Sequence, residues 1–69
     1  MSIQLTVNGN ARTFAGPVDT VADLLRELAL EGKRIAVERN GEIVPRSRYA
    51  ETPVAGGDRL EIVGAVGGG

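Results

Sequence analysis

The sequence predicts an α+β domain in which one main helix covers one face of a mixed sheet of about five strands. Three observations in the 69 residues predict this fold: stretches of alternating apolar and polar residues, two Asn-Gly pairs that each follow such a stretch, and a single stretch with helical periodicity. Alternation is typical of strands with one buried face, and Asn-Gly favours tight hairpins. Because the apolar faces of a helix and a sheet each need a partner, the helix is expected to pack on the sheet.

The first two strands are predicted to form a hairpin. The apolar residues of the first strand stand at alternate positions: Ile3, Leu5 and Val7. Asn8-Gly9 then turns the chain, because both residues tolerate a positive φ. The second strand is expected over residues 11–15, with Phe14 as its largest inward side chain, and Gly16-Pro17 ends it.

A helix is predicted to follow, because apolar residues recur at the i, i+3, i+4 and i+7 positions of one face. These residues are Val21, Leu24, Leu25 and Leu28. Thr20 and Asp23 have the spacing of a capping box, with Asp in place of the usual Glu. Gly32 is expected to end the helix in the left-handed conformation, which gives a helix of about ten residues.

The second half of the chain is predicted to supply three more strands and a helical turn. Strands are expected over residues 35–38, 42–44 and 59–63, with the turn over residues 46–50 carrying Tyr49 inward. This element order fits a β-grasp arrangement, in which the last strand lies beside and parallel to the first in the middle of the sheet. Residues 1–63 are therefore assigned to the folded domain. Residues 64–69 are assigned to a flexible glycine-rich tail, because glycine loses the most backbone entropy on ordering.

The composition excludes many kinds of function. The chain contains no Cys, His or Trp, which excludes disulfides, a thiolate nucleophile, a histidine proton shuttle and metal sites built on those side chains. A net charge of -1 and two aromatic residues give no basis for binding nucleic acid. The sequence has neither a membrane-span nor a signal-peptide pattern. We therefore expect a cytoplasmic protein, monomeric when free, that binds neither nucleic acid nor a membrane.

The side chains offer few candidates for chemistry. Asp58 and Glu61 are predicted to be surface charges, and Arg46-Ser47-Arg48 a solvated loop instead of an anion-binding patch. Gly56-Gly57 precedes a strand, whereas phosphate-binding loops open a helix. The last residues are the better candidate: glycines without a Cβ can enter a narrow slot in a partner, and six extended residues reach about 20 Å. They would carry the Gly69 carboxylate there.

The whole chain resembles the ThiS family, the ubiquitin-like sulfur carriers of thiamine thiazole biosynthesis. The segments that carry the resemblance are Val7-Asn8-Gly9, residues 20–25, Ala36-Val37-Glu38-Arg39-Asn40-Gly41-Glu42-Ile43-Val44-Pro45-Arg46, residues 57–63 and residues 65–69. The resemblance implies a ubiquitin-like β-grasp fold and a carrier that is not itself an enzyme. The terminal Gly-Gly is shared with MoaD-like carriers of molybdopterin synthesis, but Val44-Pro45-Arg46 and the short length favour ThiS.

The resemblance also implies a reaction cycle with partner enzymes. A ThiF-type adenylyltransferase would use ATP and magnesium to adenylate the Gly69 carboxylate, and this chain would bind no cofactor. A sulfur donor fed by cysteine desulfurase would then convert it to a thiocarboxylate. A ThiG-type thiazole synthase would accept the sulfur, with Val66, Gly67 and Gly68 threading the partner active site.

A second candidate surface is the sheet face away from the helix. Gln4, Thr6, Ala36 and Val63 are expected on this face, and by analogy with ubiquitin-like proteins Thr6 and Val63 would dock the adenylating partner. An ordinary half-polar outer face explains the same residues. Three other functions remain open at this point: a MoaD-like carrier, a ubiquitin-like protein modifier, and an interaction module with an inert tail.

Overall fold

The computed structural model describes residues 2–64, which form a five-stranded sheet with an α-helix packed on one face. The elements in chain order are β1 (Ile3–Val7), β2 (Asn10–Phe14), α1 (Val21–Glu27), β3 (Ile35–Arg39), β4 (Glu42–Val44), a 3₁₀ turn (Arg46–Arg48) and β5 (Arg59–Gly64). The predicted order of elements is thus confirmed.

The strands lie in the order β2-β1-β5-β3-β4. β5 runs parallel to β1, with Leu60 opposite Val7, and antiparallel to β3, with Ile62 opposite Val37. Both hairpins turn at Asn-Gly pairs, and Asn8 and Asn40 adopt left-handed φ angles of 51° and 52°. The last strand therefore lies in the middle of a mixed sheet beside the first, which confirms the predicted β-grasp arrangement.

The core lies between α1 and the inner face of the sheet. Its five most deeply buried large side chains are Leu5, Val21, Leu24, Val37 and Leu60. They come from β1, α1, β3 and β5, so the predicted alternation and helical periodicity place the apolar residues on facing surfaces. Phe14 is buried as predicted, and Tyr49 packs half-buried against the same core.

The N-terminus of α1 is capped as the sequence predicts. The backbone N–H of Asp23 donates to the Thr20 hydroxyl at 3.2 Å, and the N–H of Thr20 donates to the Asp23 carboxylate at 3.2 Å. The N–H groups of the first two helical residues donate to carbonyls of the loop after the 3₁₀ turn, at Thr52 and Tyr49. These hydrogen bonds satisfy backbone N–H groups in the first turn of the helix, which have no carbonyl partner within the helix itself.

The predicted end of the helix is wrong. α1 ends at Glu27, and Ala29 adopts the left-handed φ of 60° that was expected at Gly32. The N–H of Leu30 donates to the carbonyl of Leu25 at 2.8 Å, which is the long bond of a Schellman motif. This early reversal lets Leu30 pack against the core, and it leaves a helix of seven residues.

Strand boundaries differ from the predicted ones by one residue. β2 begins at Asn10 and ends at Phe14, one residue earlier at each end, because Asn10 pairs with Val7 immediately after the turn. β3 continues to Arg39. β5 continues to Gly64, which pairs with Ile35 of β3 and belongs to the segment predicted as tail.

Candidate functional site

β5 connects the folded body to the residues that the sequence singles out. It is paired on one side with β1 and on the other with β3, and the described part of the chain ends at Gly64. The predicted functional residues Val66, Gly67, Gly68 and Gly69 lie outside the described residues. In the described part, the candidate docking site is therefore the outer face of the sheet around β5, and the contacts that hold β5 give this face its structural support.

Asp58 holds the start of β5 through a buried carboxylate. The residue is 9% exposed, and its carboxylate accepts hydrogen bonds from Arg39 Nε at 2.8 Å, Asn40 Nδ2 at 3.1 Å and the N–H of Ala55 at 2.8 Å. The prediction that Asp58 is a surface charge is therefore wrong. A buried carboxylate needs such partners, and here they come from the end of β3, from the turn that follows it and from the loop before β5.

The environment of Asp58 changes its acidity. Burial opposes the charged form and raises the pKa, but the Ala55 N–H, the Asn40 amide and the Arg39 guanidinium together outweigh it, so the pKa of Asp58 lies below its usual range. The carboxylate is charged at neutral pH and bonded on both oxygens. This arrangement stabilises the fold and leaves Asp58 poorly suited to proton transfer.

Glu61 is the other carboxylate considered as a partner of Asp58. It lies exposed on the outer face of β5, opposite Glu38 of β3. Within residues 2–64 the two carboxylates therefore do not form a catalytic pair, and Glu61 is a surface charge as predicted. The described residues also contain no group of three or more acidic, His or Cys side chains that could hold a metal ion.

Asn8 contacts β5 further along the strand, which sequence reasoning did not anticipate. Its Nδ2 donates to the carbonyl of Ile62 at 2.9 Å, and its Oδ1 accepts from the N–H of Ile62 at 2.7 Å. The Asn-Gly pattern signals a turn, but these partners are 54 residues apart in the chain, so no local pattern reports the contact.

The residues predicted to dock a partner share the outer face but lie toward opposite ends of β5. Thr6 lies opposite Arg59 at the start of β5, whereas Val63 lies near its end, opposite Ala36 of β3. Val63 is 58% exposed and Ile43 of β4 is 76% exposed. Sequence reasoning missed Ile43, although its place between Glu42 and the inward Val44 would have put it on this face.

A shallow groove of about 380 Å³ runs across the β3–β5 side of this face. Its lining combines apolar and acidic side chains: Ala36, Val37, Glu38, Ile43, Glu61 and Val63. We call the exposed members of this set, with Thr6, the outer-face patch. Exposed apolar groups beside charges are typical of surfaces that bind other proteins.

The remaining candidates from the sequence are placed as expected. Arg46, Ser47 and Arg48 are all exposed, and Arg48 lies 3.6 Å from the Glu51 carboxylate. Gly57 adopts a φ of 90° in the turn before β5, where its N–H donates to the carbonyl of Gln4. None of the helices formed by residues 2–64 is long and apolar enough to cross a membrane.

Comparison with known proteins identifies the family. The sequence model described as the ThiS family matches residues 5–69. This chain belongs to the ThiS family. Sulfur carrier protein ThiS of Bacillus subtilis is 42% identical over 65 residues, which cover 94% of this chain and 98% of that protein. Because that relative is named a carrier, the expectation of a carrier and not an enzyme is confirmed at the level of the family.

Two further relatives differ in how much of their length this chain covers. A thiazole synthase of Paramagnetospirillum magneticum is 49% identical over 67 residues, which cover 97% of this chain but only 20% of that protein. The chain thus spans about a fifth of the length of this relative. An uncharacterized protein, ycf40, of Pyropia yezoensis is 31% identical over 68 residues, which cover 99% of this chain and 94% of that protein.

Solved structures confirm the ThiS fold. The crystal structure of the thiamine biosynthesis protein ThiS from Geobacter metallireducens matches with a TM-score of 0.83 at 36% identity, covering 97% of this chain and all of that one. A solution structure of a thiamine biosynthesis protein from the same organism matches with a TM-score of 0.78, covering 97% of this chain and 88% of that one.

Proposed function

We propose that this chain is a sulfur carrier of thiamine biosynthesis that holds the transferred sulfur as a thiocarboxylate on Gly69. The observation that carries the proposal is the ThiS family match, which extends through residue 69, together with a relative named sulfur carrier protein that the chain covers almost completely. The cytoplasmic location expected from the sequence is part of the same proposal.

The proposed chemistry starts from a terminal carboxylate, which is a poor electrophile until one oxygen becomes part of a leaving group. The Gly69 carboxylate would attack the α-phosphorus of ATP on a ThiF-type adenylyltransferase and release pyrophosphate. A persulfide on a sulfur donor fed by cysteine desulfurase would then attack the adenylated carbonyl and displace AMP, which leaves an acyl disulfide. A second thiol of the donor or of the partner would cleave that S–S bond, which releases the thiocarboxylate and leaves a disulfide on the thiol partners. ATP and magnesium belong to the partner, and this chain contributes no catalytic side chain.

The proposed role of the last residues is access to partner active sites. Glycine has no Cβ, so Gly67 and Gly68 would let the backbone pass through a slot too narrow for other residues, with Val66 at its entrance. The β-grasp domain is the handle by which the partner holds the carrier. Sulfur in the resulting thiocarboxylate is more nucleophilic than the carboxylate oxygen it replaces, which suits it for transfer.

Thiazole synthase is the proposed acceptor of the sulfur. A protein named thiazole synthase contains a stretch that is 49% identical to this chain. Joining a carrier to the enzyme that it serves makes their encounter intramolecular and raises the effective concentration of the carrier. This relative therefore supports a ThiG-type synthase as partner of the present chain.

The adenylating partner is proposed to dock on the outer-face patch. Val63 and Ile43 are exposed apolar side chains, and Thr6 lies half-buried on the same face. Val63 is also one residue from the end of β5, so a partner held there would contact the carrier six residues before Gly69. Contact at this surface would bring the last residues within reach of the partner active site.

The experiment that tests the proposal is intact-mass spectrometry of the full-length chain after incubation with ATP, magnesium, the adenylating enzyme and a sulfur source. A carrier gains the mass difference between one sulfur and one oxygen, and fragmentation places the gain at Gly69. A chain lacking Gly69 and a reaction without ATP are the controls. Conversion of the chain that lacks Gly69 would overturn the assignment of the sulfur to Gly69, and conversion of a chain that lacks residues 67–69 would overturn every function based on the glycine terminus.

The same experiment separates the other classes of function. A ubiquitin-like modifier would become conjugated to lysines of other proteins, and an interaction module would remain unchanged. Deletion of the gene separates the two carrier pathways. A thiamine requirement that thiazole relieves supports the proposal, whereas a requirement relieved only by molybdopterin precursors would favour the MoaD-like alternative.

A further inference from the structure

The carboxamide of Asn8 takes the place of a strand residue that β1 lacks. The pairing of β1 with β5 ends at Val7 opposite Leu60, and the chain then turns away at Asn8. The backbone N–H of Asn8 still donates to the carbonyl of Leu60 at 2.9 Å. Beyond that bond the side chain of Asn8 pairs with both the N–H and the carbonyl of Ile62, at 2.7 and 2.9 Å.

A carboxamide suits this position because it carries the same donor and acceptor as a peptide group. In parallel pairing, the N–H and the carbonyl of one residue bond to two residues that lie two apart on the neighbour strand. The single carboxamide of Asn8 supplies both partners of Ile62, and so it satisfies the β1 side of β5 for one further residue. On the other side, β3 pairs with β5 as far as Gly64. Ile62 is therefore held on both sides, two residues before the strand ends.

The other Asn-Gly turn provides a close structural comparison. Asn40 adopts nearly the same φ, and its side chain also bonds to the last part of the chain. Its Nδ2 donates to Asp58 Oδ1 at 3.1 Å, and its Oδ1 accepts from the N–H of Arg59 at 2.9 Å. Asn40 thus holds the beginning of β5, whereas Asn8 holds the part that leads to Gly64.

We propose that Asn8 is a positioning residue: its carboxamide fixes Ile62 and the end of β5, from which the chain continues toward Gly69. The consequence for the reaction rests on the proposed function, but the effect on β5 does not. Without the Asn8 side chain, the N–H and the carbonyl of Ile62 lose their hydrogen-bond partners on the β1 side. The end of a strand that has few hydrogen bonds opens by local unfolding more often than a fully paired strand. A partner enzyme must then order more of the carrier before the terminus reaches the reacting geometry, which slows the reaction step.

Two substitutions separate the side chain from the backbone of the turn. Asn8→Gly removes the carboxamide but keeps a residue that adopts the left-handed φ without strain. Asn8→Asp keeps the oxygen that accepts from the N–H of Ile62. It replaces the amide N–H₂, which donates to the carbonyl of Ile62, with a second oxygen that repels this carbonyl. Asn40→Gly is the matched control, because it removes the same group from the same kind of turn at the far end of β5.

The first measurement is amide hydrogen exchange in the full-length chain. The exchange rate of each β5 amide is divided by that of the Leu24 amide, which reports global unfolding. In Asn8→Gly, exchange at Ile62 is expected to be about tenfold faster relative to Leu24, because its N–H loses the Asn8 acceptor, and exchange at the neighbouring Val63, which pairs with Ala36, should rise in the same direction. Asn40→Gly is expected to leave the Ile62 and Val63 ratios unchanged. Unchanged ratios in Asn8→Gly would overturn the proposal without any reference to partners.

The second measurement is the steady-state rate at which an ATP-dependent adenylating enzyme releases pyrophosphate with each variant as substrate. Asn8→Gly is expected to lower kcat about three- to tenfold with KM for the carrier unchanged, since the docking surface is intact. Asn40→Gly is expected to change neither constant. A loss of stability in both variants with wild-type kcat would show that Asn8 is structural only, and would overturn the proposal.

The two proposals fail in different ways. If the unaltered chain supports no pyrophosphate release, the proposed function fails, while the exchange measurement still decides whether Asn8 fixes the end of β5. If Asn8→Gly is not folded at the assay temperature, Asn8→Asp is measured instead, with the same expected direction in exchange and in kcat. An Asn8→Asp chain with wild-type exchange and kcat would overturn the inference.

Discussion

Arg39 Nε donates a hydrogen bond to the buried carboxylate of Asp58 at 2.8 Å, and this contact joins the end of β3 to the residue that precedes β5. The side chain of Arg39 is 29% exposed and that of Asp58 is 12% exposed, so the pair is only partly screened by water. Asn40 and the N–H of Ala55 bond to the same carboxylate. Together these contacts fix the start of the central strand.

Asp58→Asn is expected to lower the free energy of unfolding by about 1 to 3 kcal/mol. The substitution removes the charge that Arg39 faces and sets an amide donor where a carboxylate accepted hydrogen bonds. Urea denaturation followed by circular dichroism measures the change. Glu61→Gln, on the exposed outer face, is the control and should change stability by less than about 0.5 kcal/mol. Equal stability of the two variants would contradict a structural role for Asp58.

The lowered pKa of Asp58 predicts the acid dependence of stability. A carboxyl group whose pKa is lower when folded stabilises the fold above its unfolded pKa, near the ordinary value of 3.8, and the stabilisation is lost as pH falls through the folded pKa. The free energy of unfolding should therefore be nearly constant from about pH 6 to 8 and decline below about pH 4. Denaturation midpoints measured across this range provide the test.

The variant Asp58→Asn should show a shallower acid decline than the unaltered chain. The decline should not vanish, because the pKa of Asp23 is also lowered. The N–H of Asp19 is the largest cause, and the N–H of Thr20 and the charge of Arg26 lower the pKa further, while desolvation of the carboxylate raises it in part. An identical acid profile in Asp58→Asn would mean that Asp58 has the same pKa folded and unfolded.

Val63→Glu is expected to weaken binding of the adenylating partner without unfolding the chain. Val63 is 58% exposed, and the groove beside it already contains Glu38 and Glu61, so a third carboxylate must lose its water when a partner docks. KM for the carrier should rise about tenfold with little change in kcat, and stability should fall by less than about 1 kcal/mol.

The control for this docking prediction is Ala50→Glu, which adds the same charge at an exposed position after the 3₁₀ turn. Thr6→Glu provides a second charge within the outer-face patch. If Val63→Glu and Thr6→Glu both gave the KM of Ala50→Glu while remaining folded, the partner would dock elsewhere. An effect on KM also distinguishes these variants from Asn8→Gly, for which the expected change is in kcat.

Leu24→Ala is expected to lower the free energy of unfolding by about 2 to 5 kcal/mol, because the side chain is completely buried and its loss leaves a cavity. A domain of this size has little stability to lose, so the variant should melt well below the parent or be unfolded. Thermal melts followed by circular dichroism measure this, and Leu24→Met is the volume-conserving control, with an expected loss below about 1.5 kcal/mol. A Leu24→Ala chain that melts like the parent would remove Leu24 from the core.

The elements that the sequence predicts well are those whose signal lies within a few residues. Leu60 and Ile62 alternate on β5, and Thr20 and Asp23 form the capping box, because period and spacing report these arrangements directly. The position of β5, parallel to β1 in the middle of the sheet, follows from the order of the elements and from the need to bury the apolar faces of the helix and the sheet against each other. The ThiS resemblance likewise rests on local segments.

The contacts that the sequence does not predict join residues far apart in the chain. Asn40 and Asp58 are 18 residues apart, and Asn8 and Ile62 are 54 residues apart. Their residue types also fit other roles, since Asn-Gly predicts a turn and an Asp near a turn is usually exposed. Only the assembled sheet brings these side chains to β5, so the sequence does not predict the contacts that hold this strand.

The wrong prediction for the end of the helix leads to a test of backbone strain. Ala29 is exposed and adopts a φ of 60°, where its Cβ costs about 1 to 2 kcal/mol. Ala29→Gly removes that cost but gains freedom in the unfolded chain worth about 0.4 to 1 kcal/mol. The variant should therefore be more stable by about 0.5 kcal/mol, as measured by urea denaturation.

Gly32→Ala is the converse substitution. Gly32 adopts a φ of 79°, and a Cβ there would have no atom within 4 Å, so the expected loss of about 1 kcal/mol comes from the backbone alone. Opposite signs for the two variants would establish that both positions require the left-handed conformation. If Ala29→Gly were instead destabilising by as much as Gly32→Ala, the helix would not end in the Schellman motif at Ala29, and the burial of Leu30 would need another cause.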